Sequence, residues 1–162
     1  MKTTKKKMRR WSGKKRSASR VRELAQRAYR SKAAFLKRKF TSVQAIRGIE
    51  KGLPFTEIEA LRGELDEPLE SLGRHLSISR STLQRRRAER RLSPQESDRV
   101  LRFCRLLRHA VSVFGDLDRA RQWLKFPQRG LGGAVPLDYA STEVGAREVE
   151  NLLGRIDYGV YS

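Results

Sequence analysis

The run Leu69-Glu70-Ser71-Leu72-Gly73-Arg74-His75-Leu76-Ser77-Ile78-Ser79-Arg80-Ser81-Thr82-Leu83-Gln84-Arg85 decides the fold. Leu69, Leu72 and Leu76 recur at three- and four-residue spacing, the period of one helix face. Gly73 is small where a second helix must approach closely. Ile78 follows the turn and points to the core. Ser79 suits the N-cap of the next helix, and Leu83 anchors that helix inward. This is the spacing of a helix-turn-helix. Its turn position, where glycine is usual, holds Ser77, which must take the turn geometry at some cost. The second helix is expected to expose Arg80, Ser81, Gln84, Arg85 and Arg87. Arginine and glutamine suit bidentate contacts with guanine and adenine edges, and the helix N-terminus suits a phosphate. An ordinary solvated face has the same composition, because arginine is a good helix former.

Helical spacing continues on both sides of this run. Upstream, Thr41 or Ser42 caps a predicted helix carrying Val43, Ile46 and Ile49. Gly52-Leu53-Pro54 ends it, since Pro54 disfavours helix at the preceding residue. A second helix is predicted from about Phe55 to Glu64, burying Phe55, Ile58 and Leu61, and Asp66 is expected to cap a third with Pro68 in its first turn.

Downstream, Ser93-Pro94-Gln95-Glu96 combines an N-cap serine, a first-turn proline and a capping-box glutamate. It opens the longest predicted helix, with Val100, Phe103, Cys104, Leu107, Val111 and Phe114 on one face and Gly115 as C-cap. Asp116 caps a short helix bearing Leu117, Ala120, Trp123 and Leu124. The glycines of 128–136 are expected to serve tight backbone packing. Pro136 to Ala140 forms a single predicted turn, and Ser141 or Thr142 caps a final helix with Val149, Leu152, Leu153 and Ile156. Little alternates with period two and β-branched runs are absent, so the fold class expected is all-α.

The chain has 162 residues, 37 Lys or Arg, 18 Asp or Glu and a net charge of +19. A charge this positive suggests a polyanionic partner: nucleic acid, an anionic membrane surface or an acidic protein. The excess is localised. Residues 1–40 hold 17 bases and one acid, Glu23, while 41–91 carry a net +2 and 92–162 a net +1. Leu, Ile, Val and Phe number 5 in the first 40 residues and 34 in the rest, so only the remainder has enough apolar surface to offset its ordering entropy. Residues 1–40 are therefore expected to be a basic, largely disordered arm, with a possible amphipathic helix at 20–29. That arm reads as phosphate-binding, membrane-surface or a plain solvated tail. A transit peptide fits less well, given the lysine-rich start without a broad apolar face.

One cysteine, Cys104, excludes an internal disulfide. No apolar run approaches the ~18 residues of a membrane span, and no signal-peptide h-region is present. The compartment expected is cytoplasmic. No Cys/His spacing suggests a metal site; His75 and His109 read as half-exposed helix residues and Cys104 as a small core residue. Asp116 and Asp118 are explained by a helix N-terminus. No positive case for an enzyme, and no cofactor, emerges.

From about Thr41 onward the chain resembles the Xre-type antitoxins of RES–Xre toxin–antitoxin modules, which share a C-terminal domain with the MbcA/ParS group. The resemblance rests on an ordered set: Gly52-Leu53-Pro54, Ser79 through Arg87, Leu92 through Arg99, Phe114-Gly115, Trp123-Leu124, Leu131-Gly132-Gly133, Pro136-Leu137-Asp138, Thr142-Glu143 with Gly145-Ala146, and Ile156-Asp157-Tyr158-Gly159. It implies a helix-turn-helix domain at 41–91, a small helical toxin-binding domain at 92–162, homodimerisation, and autorepression through operator DNA. It also implies a RES-domain toxin, consuming NAD or transferring ADP-ribose, whose active-site cleft receives the antitoxin's C-terminal segment. Here that segment is Arg155, Asp157, Tyr158, Gly159, Val160, Tyr161 and Ser162 with Ile156 among them. Tyr158 and Tyr161 are rigid aromatic anchors suited to such a cleft, and Asp157 or the terminal carboxylate suits arginines that otherwise grip phosphates. The competing class is a basic nucleic-acid-binding protein without a toxin partner, driven by the arm.

Overall fold

The computed structural model describes residues 41–159; the arm at 1–40 and the expected helix at 20–29 lie outside the described residues, as do Val160, Tyr161 and Ser162. In order, the elements are α1 (Ser42–Lys51), α2 (Thr56–Leu65), α3 (Leu69–His75), α4 (Arg80–Glu89), α5 (Pro94–Phe114), α6 (Leu117–Lys125), a 3₁₀ turn (Arg129–Leu131), α7 (Pro136–Tyr139) and α8 (Glu143–Asp157). Two isolated β-bridges, Pro54 with Arg91 and Gln128 with Ala134, are the extended pairing among the described residues. The fold is all-α, as the spacing predicts.

The helix starts follow from local chemistry. Thr41 and Gln44 form a reciprocal capping box on α1, and Ser93 with Glu96 forms one on α5, with Pro94 in the first turn. Asp116 caps α6 by accepting from the Arg119 N–H at 2.9 Å, and Thr142 caps α8 by accepting from Gly145 at 3.1 Å. Gly115 ends α5 in the left-handed region.

The core forms along α5, which packs against α1, α2, α6 and α8. Val100, Phe103, Leu106 and Leu107 of α5, Ile58 and Leu61 of α2, Leu124 of α6 and Leu153 of α8 are all buried. The segments at 52–55 and 90–92 are stitched together: Leu92 N–H donates to Leu53 O at 2.8 Å and Phe55 N–H to Arg90 O at 3.1 Å. Leu53 N–H donates to the buried Ser97 Oγ at 2.8 Å. Gly52 is required there, since φ is +76° and a Cβ would lie 2.2 Å from Leu92 O.

Two expectations need correction. Asp66 does not cap α3: it ends α2 at φ 53°, and Pro68 occupies the N-cap position of α3 rather than its first turn. Pro68 disfavours helix at Glu67, so α3 cannot start before it. In the loop at 128–136 only Gly130 serves close packing, where a Cβ would meet Leu152 at 2.6 Å; Gly132 and Gly133 supply positive φ in open space. On α1 the apolar stripe is largely uncovered, with Val43 57% and Ile46 54% exposed.

Candidate functional site

The helix-turn-helix consists of α3, the turn at 76–79 and α4. Gly73 lies under α4, where a Cβ would stand 2.6 Å from Leu83 and 3.0 Å from Ile78 O. Ile78 and Leu83 are buried. Ser77 takes φ 53°, the left-handed conformation that the missing glycine would adopt freely. Ser79 caps α4 by accepting from Thr82 N–H at 3.2 Å, and its hydroxyl donates to Thr82 Oγ1 at 2.9 Å.

Arg80, Ser81, Gln84, Arg85 and Arg87 are all exposed on α4. Positions 80, 84 and 87 form one stripe of the helix, with 81 and 85 beside it. Their engagement differs. Arg87 Nη2 donates to Glu59 Oε1 of α2 at 3.2 Å, and Arg85 stands 3.9 Å from Glu89. Arg86 belongs to another face. Its Nε donates to both Glu96 oxygens, at 2.8 and 3.1 Å, and its Nη1 to Glu89 at 2.6 Å. Hydrogen bonds that Arg86 donates to Glu89 and then to Glu96 hold its pKa above the ordinary arginine value.

Two residues framing α4 escape a purely local reading. Glu96 is legible as a capping-box residue, accepting from Ser93 N–H at 2.7 Å, but the same carboxylate also holds Arg86. Arg99, three residues on and therefore on the same face of α5, donates to Leu76 O at 3.1 Å and Ser77 O at 2.9 Å. The three-residue spacing of Glu96 and Arg99 is the one sequence signal that pairs them.

At the other end of the chain, α8 is held firmly at its start. A Cβ on Gly145 would lie 1.8 Å from Tyr139 O, so α7 and α8 meet backbone to backbone. Ala146, Val149 and Leu153 are fully buried, Arg102 reaches Glu143 at 2.8 Å, and Arg105 pairs with Glu150. Past Leu153 the burial stops. Arg155, Asp157, Tyr158 and Gly159 are exposed, Tyr158 by 84%, and Gly159 turns the chain at φ +68°.

Elsewhere the chemistry is quiet. Cys104 is fully buried, and burial followed by the nearby Glu57 charge pushes its thiol up to about 12, which disfavours thiolate chemistry at neutral pH. His75 Nδ1 stands 2.9 Å from Asp138 Oδ1, joining α3 to α7. Among the described residues no group of three or more His, Cys, Asp or Glu is placed to hold a metal ion, and no helix is long and apolar enough to cross a membrane.

Residues 44–105 match the family model described as the antitoxin Xre-like helix-turn-helix domain. Residues 109–159 match the antitoxin Xre/MbcA/ParS C-terminal toxin-binding domain. Over 116 residues the sequence is 38% identical to the protein named Antitoxin Xre of Photorhabdus laumondii, covering 70% of this chain and 78% of that one. It is 44% identical over 85 residues to Antitoxin Xre of Yersinia enterocolitica, covering 52% of this chain and 57% of the relative. With Antitoxin Xre of Pseudomonas putida the identity is 34% over 68 residues, covering 42% and 43% of the two chains.

Proposed function

The chain belongs to the Xre antitoxin family, and from that premise we propose that it is a type II antitoxin which neutralises a RES-domain toxin and represses its own operon. The observation that carries this reading is the order of two matched segments on one chain, a helix-turn-helix at 44–105 followed by a toxin-binding domain at 109–159. Neutralisation is assigned to the segment from Arg155 onward, which inserts into the cleft where the toxin binds NAD or ADP-ribose. Support comes from Tyr158, which presents almost its whole ring to solvent; a rigid aromatic gains most from entering a partner's pocket.

Operator binding is assigned to Arg80, Ser81, Gln84, Arg85 and Arg87, with Arg80 and Gln84 reading base edges. Arg87 contributes once it exchanges Glu59 for phosphate. The protein acts as a cytoplasmic homodimer, so that paired α4 helices meet a palindromic operator. The arm at 1–40 adds phosphate affinity without sequence preference. Co-expression with the RES-domain protein of an adjacent reading frame tests this: the full chain co-purifies with that protein and restores growth. A chain that binds DNA tightly, discriminates no sequence and captures no such partner is instead a general nucleic-acid-binding protein, the reading that the basic arm favours.

A further inference from the structure

Arg99 lies on α5, outside the helix assigned to DNA. Resting on that assignment of α4, we propose that Arg99 is a positioning residue for DNA readout: it holds the left-handed Ser77 turn and thereby sets the angle at which α4 is presented. Ser77 carries φ 53°, where the side chain of an L-residue crowds the following carbonyl. The N–H groups of Ser77 and Ile78 are satisfied from α3, donating to Arg74 O at 2.9 Å and to Gly73 O at 2.8 Å. The carbonyls of Leu76 and Ser77 receive no donor from α3, as expected past a helix C-terminus. Arg99 Nη1 donates to both, at 3.1 and 2.9 Å, and its positive charge also opposes the helix dipole.

The far end of α4 is fixed from the same face of α5. Glu96 takes Arg86 through two hydrogen bonds, with the side chains only 10% and 20% exposed. A groove of about 410 Å³ runs along this seam, lined by Ser77, Ser79, Thr82, Arg85, Glu96 and Arg99 among others. The start of α4 is therefore held through the turn, and its later part through Arg86. Arg99 Nη1 is engaged with the protein's own backbone, so its effect on DNA passes through the turn.

The test is a double-mutant cycle read by fluorescence anisotropy. One duplex spans the DNA upstream of the chain's own reading frame and the other is its scrambled counterpart. Arg99→Ala is expected to lower the ratio of the two affinities roughly tenfold. Adding Ser77→Gly restores most of that ratio, because glycine holds the turn unaided. The salt dependence of binding stays unchanged throughout. All variants are compared at a temperature where circular dichroism shows them folded; should Arg99→Ala unfold, Arg99→Lys takes its place, with a smaller loss and the same rescue. An unchanged ratio overturns the proposal. So does a loss that Ser77→Gly fails to rescue while the salt slope falls by about one phosphate, since Arg99 is then itself a DNA ligand. A full-length wild-type chain that binds both duplexes equally overturns instead the underlying assignment of α4.

Discussion

α4 is held at its start and again at Arg86, whereas α8 is held from its start through Leu153 and leaves its last turn exposed. The turn before α4 is held by Arg99 and its second turn, at Arg86, by Glu96, both from α5. α8 starts in backbone contact with Tyr139, is buried through Leu153, and then presents Arg155, Asp157, Tyr158 and Gly159 to solvent. The difference matches the two roles proposed for these segments. Base edges occur at fixed spacing, so side chains that read them need a rigid mount. A segment that enters another protein's cleft has to stand clear of its own body, and its aromatic ring gains by leaving water. One helix, α5, supports both arrangements: its first turns hold α4 and it packs along α8.

Four perturbations break or sharpen this contrast, and the largest removes the firm base of α8. In Gly145→Ala the added Cβ would stand 1.8 Å from Tyr139 O, a backbone atom that moves only with α7. We expect a loss of about 3 kcal/mol, seen as a lower urea midpoint at unchanged slope. An unshifted midpoint would mean that the corner between α7 and α8 is loose. Next, Arg80→Ala with Arg85→Ala should cost about 2 kcal/mol of discrimination between operator and scrambled DNA. A uniform loss across both duplexes would leave these residues only a phosphate role. Third, Ser93→Ala removes the cap of the helix that supports both sites, and about 1 kcal/mol of stability with it. Smallest is Glu59→Gln, which frees Arg87 from a partly exposed pair. Stability should change by less than about 1 kcal/mol, while DNA affinity rises slightly and its salt dependence steepens.

What was legible in the sequence was mostly what is settled within a few residues. The capping boxes at Thr41/Gln44 and Ser93/Glu96, the caps at Asp116 and Thr142, and the stop at Gly115 are local hydrogen bonds written in adjacent positions. Gly73 and the cost at Ser77 were legible for the same reason. Asp66 misled because a short polar residue serves a left-handed helix end as readily as an N-cap, and Pro68 decided between them. The three loop glycines gave one signal for two causes, packing at Gly130 and positive φ at Gly132 and Gly133. Periodicity placed Val43 and Ile46 on one face of α1 but did not say whether anything covers it.

The candidate sites were legible by phase and not by partner. Spacing put Arg80, Gln84 and Arg87 on one stripe of α4 and Arg86 off it. The carboxylates that engage Arg86 and Arg87 lie 10 and 28 residues away, beyond the reach of any local pattern. On α8 the expected apolar stripe runs on to Ile156, whereas full burial ends at Leu153 and Ile156 is only half-buried, a boundary that spacing alone does not mark.

The central claim is that DNA readout and toxin control occupy separable parts of this chain. It is tested most directly by removing residues 155–162 and measuring two things side by side: growth of cells expressing the cognate toxin, and anisotropy of the upstream duplex. The account predicts that growth rescue is lost while the affinity and sequence preference for the duplex stay as in the full chain. Full growth rescue by the shortened chain would contradict it.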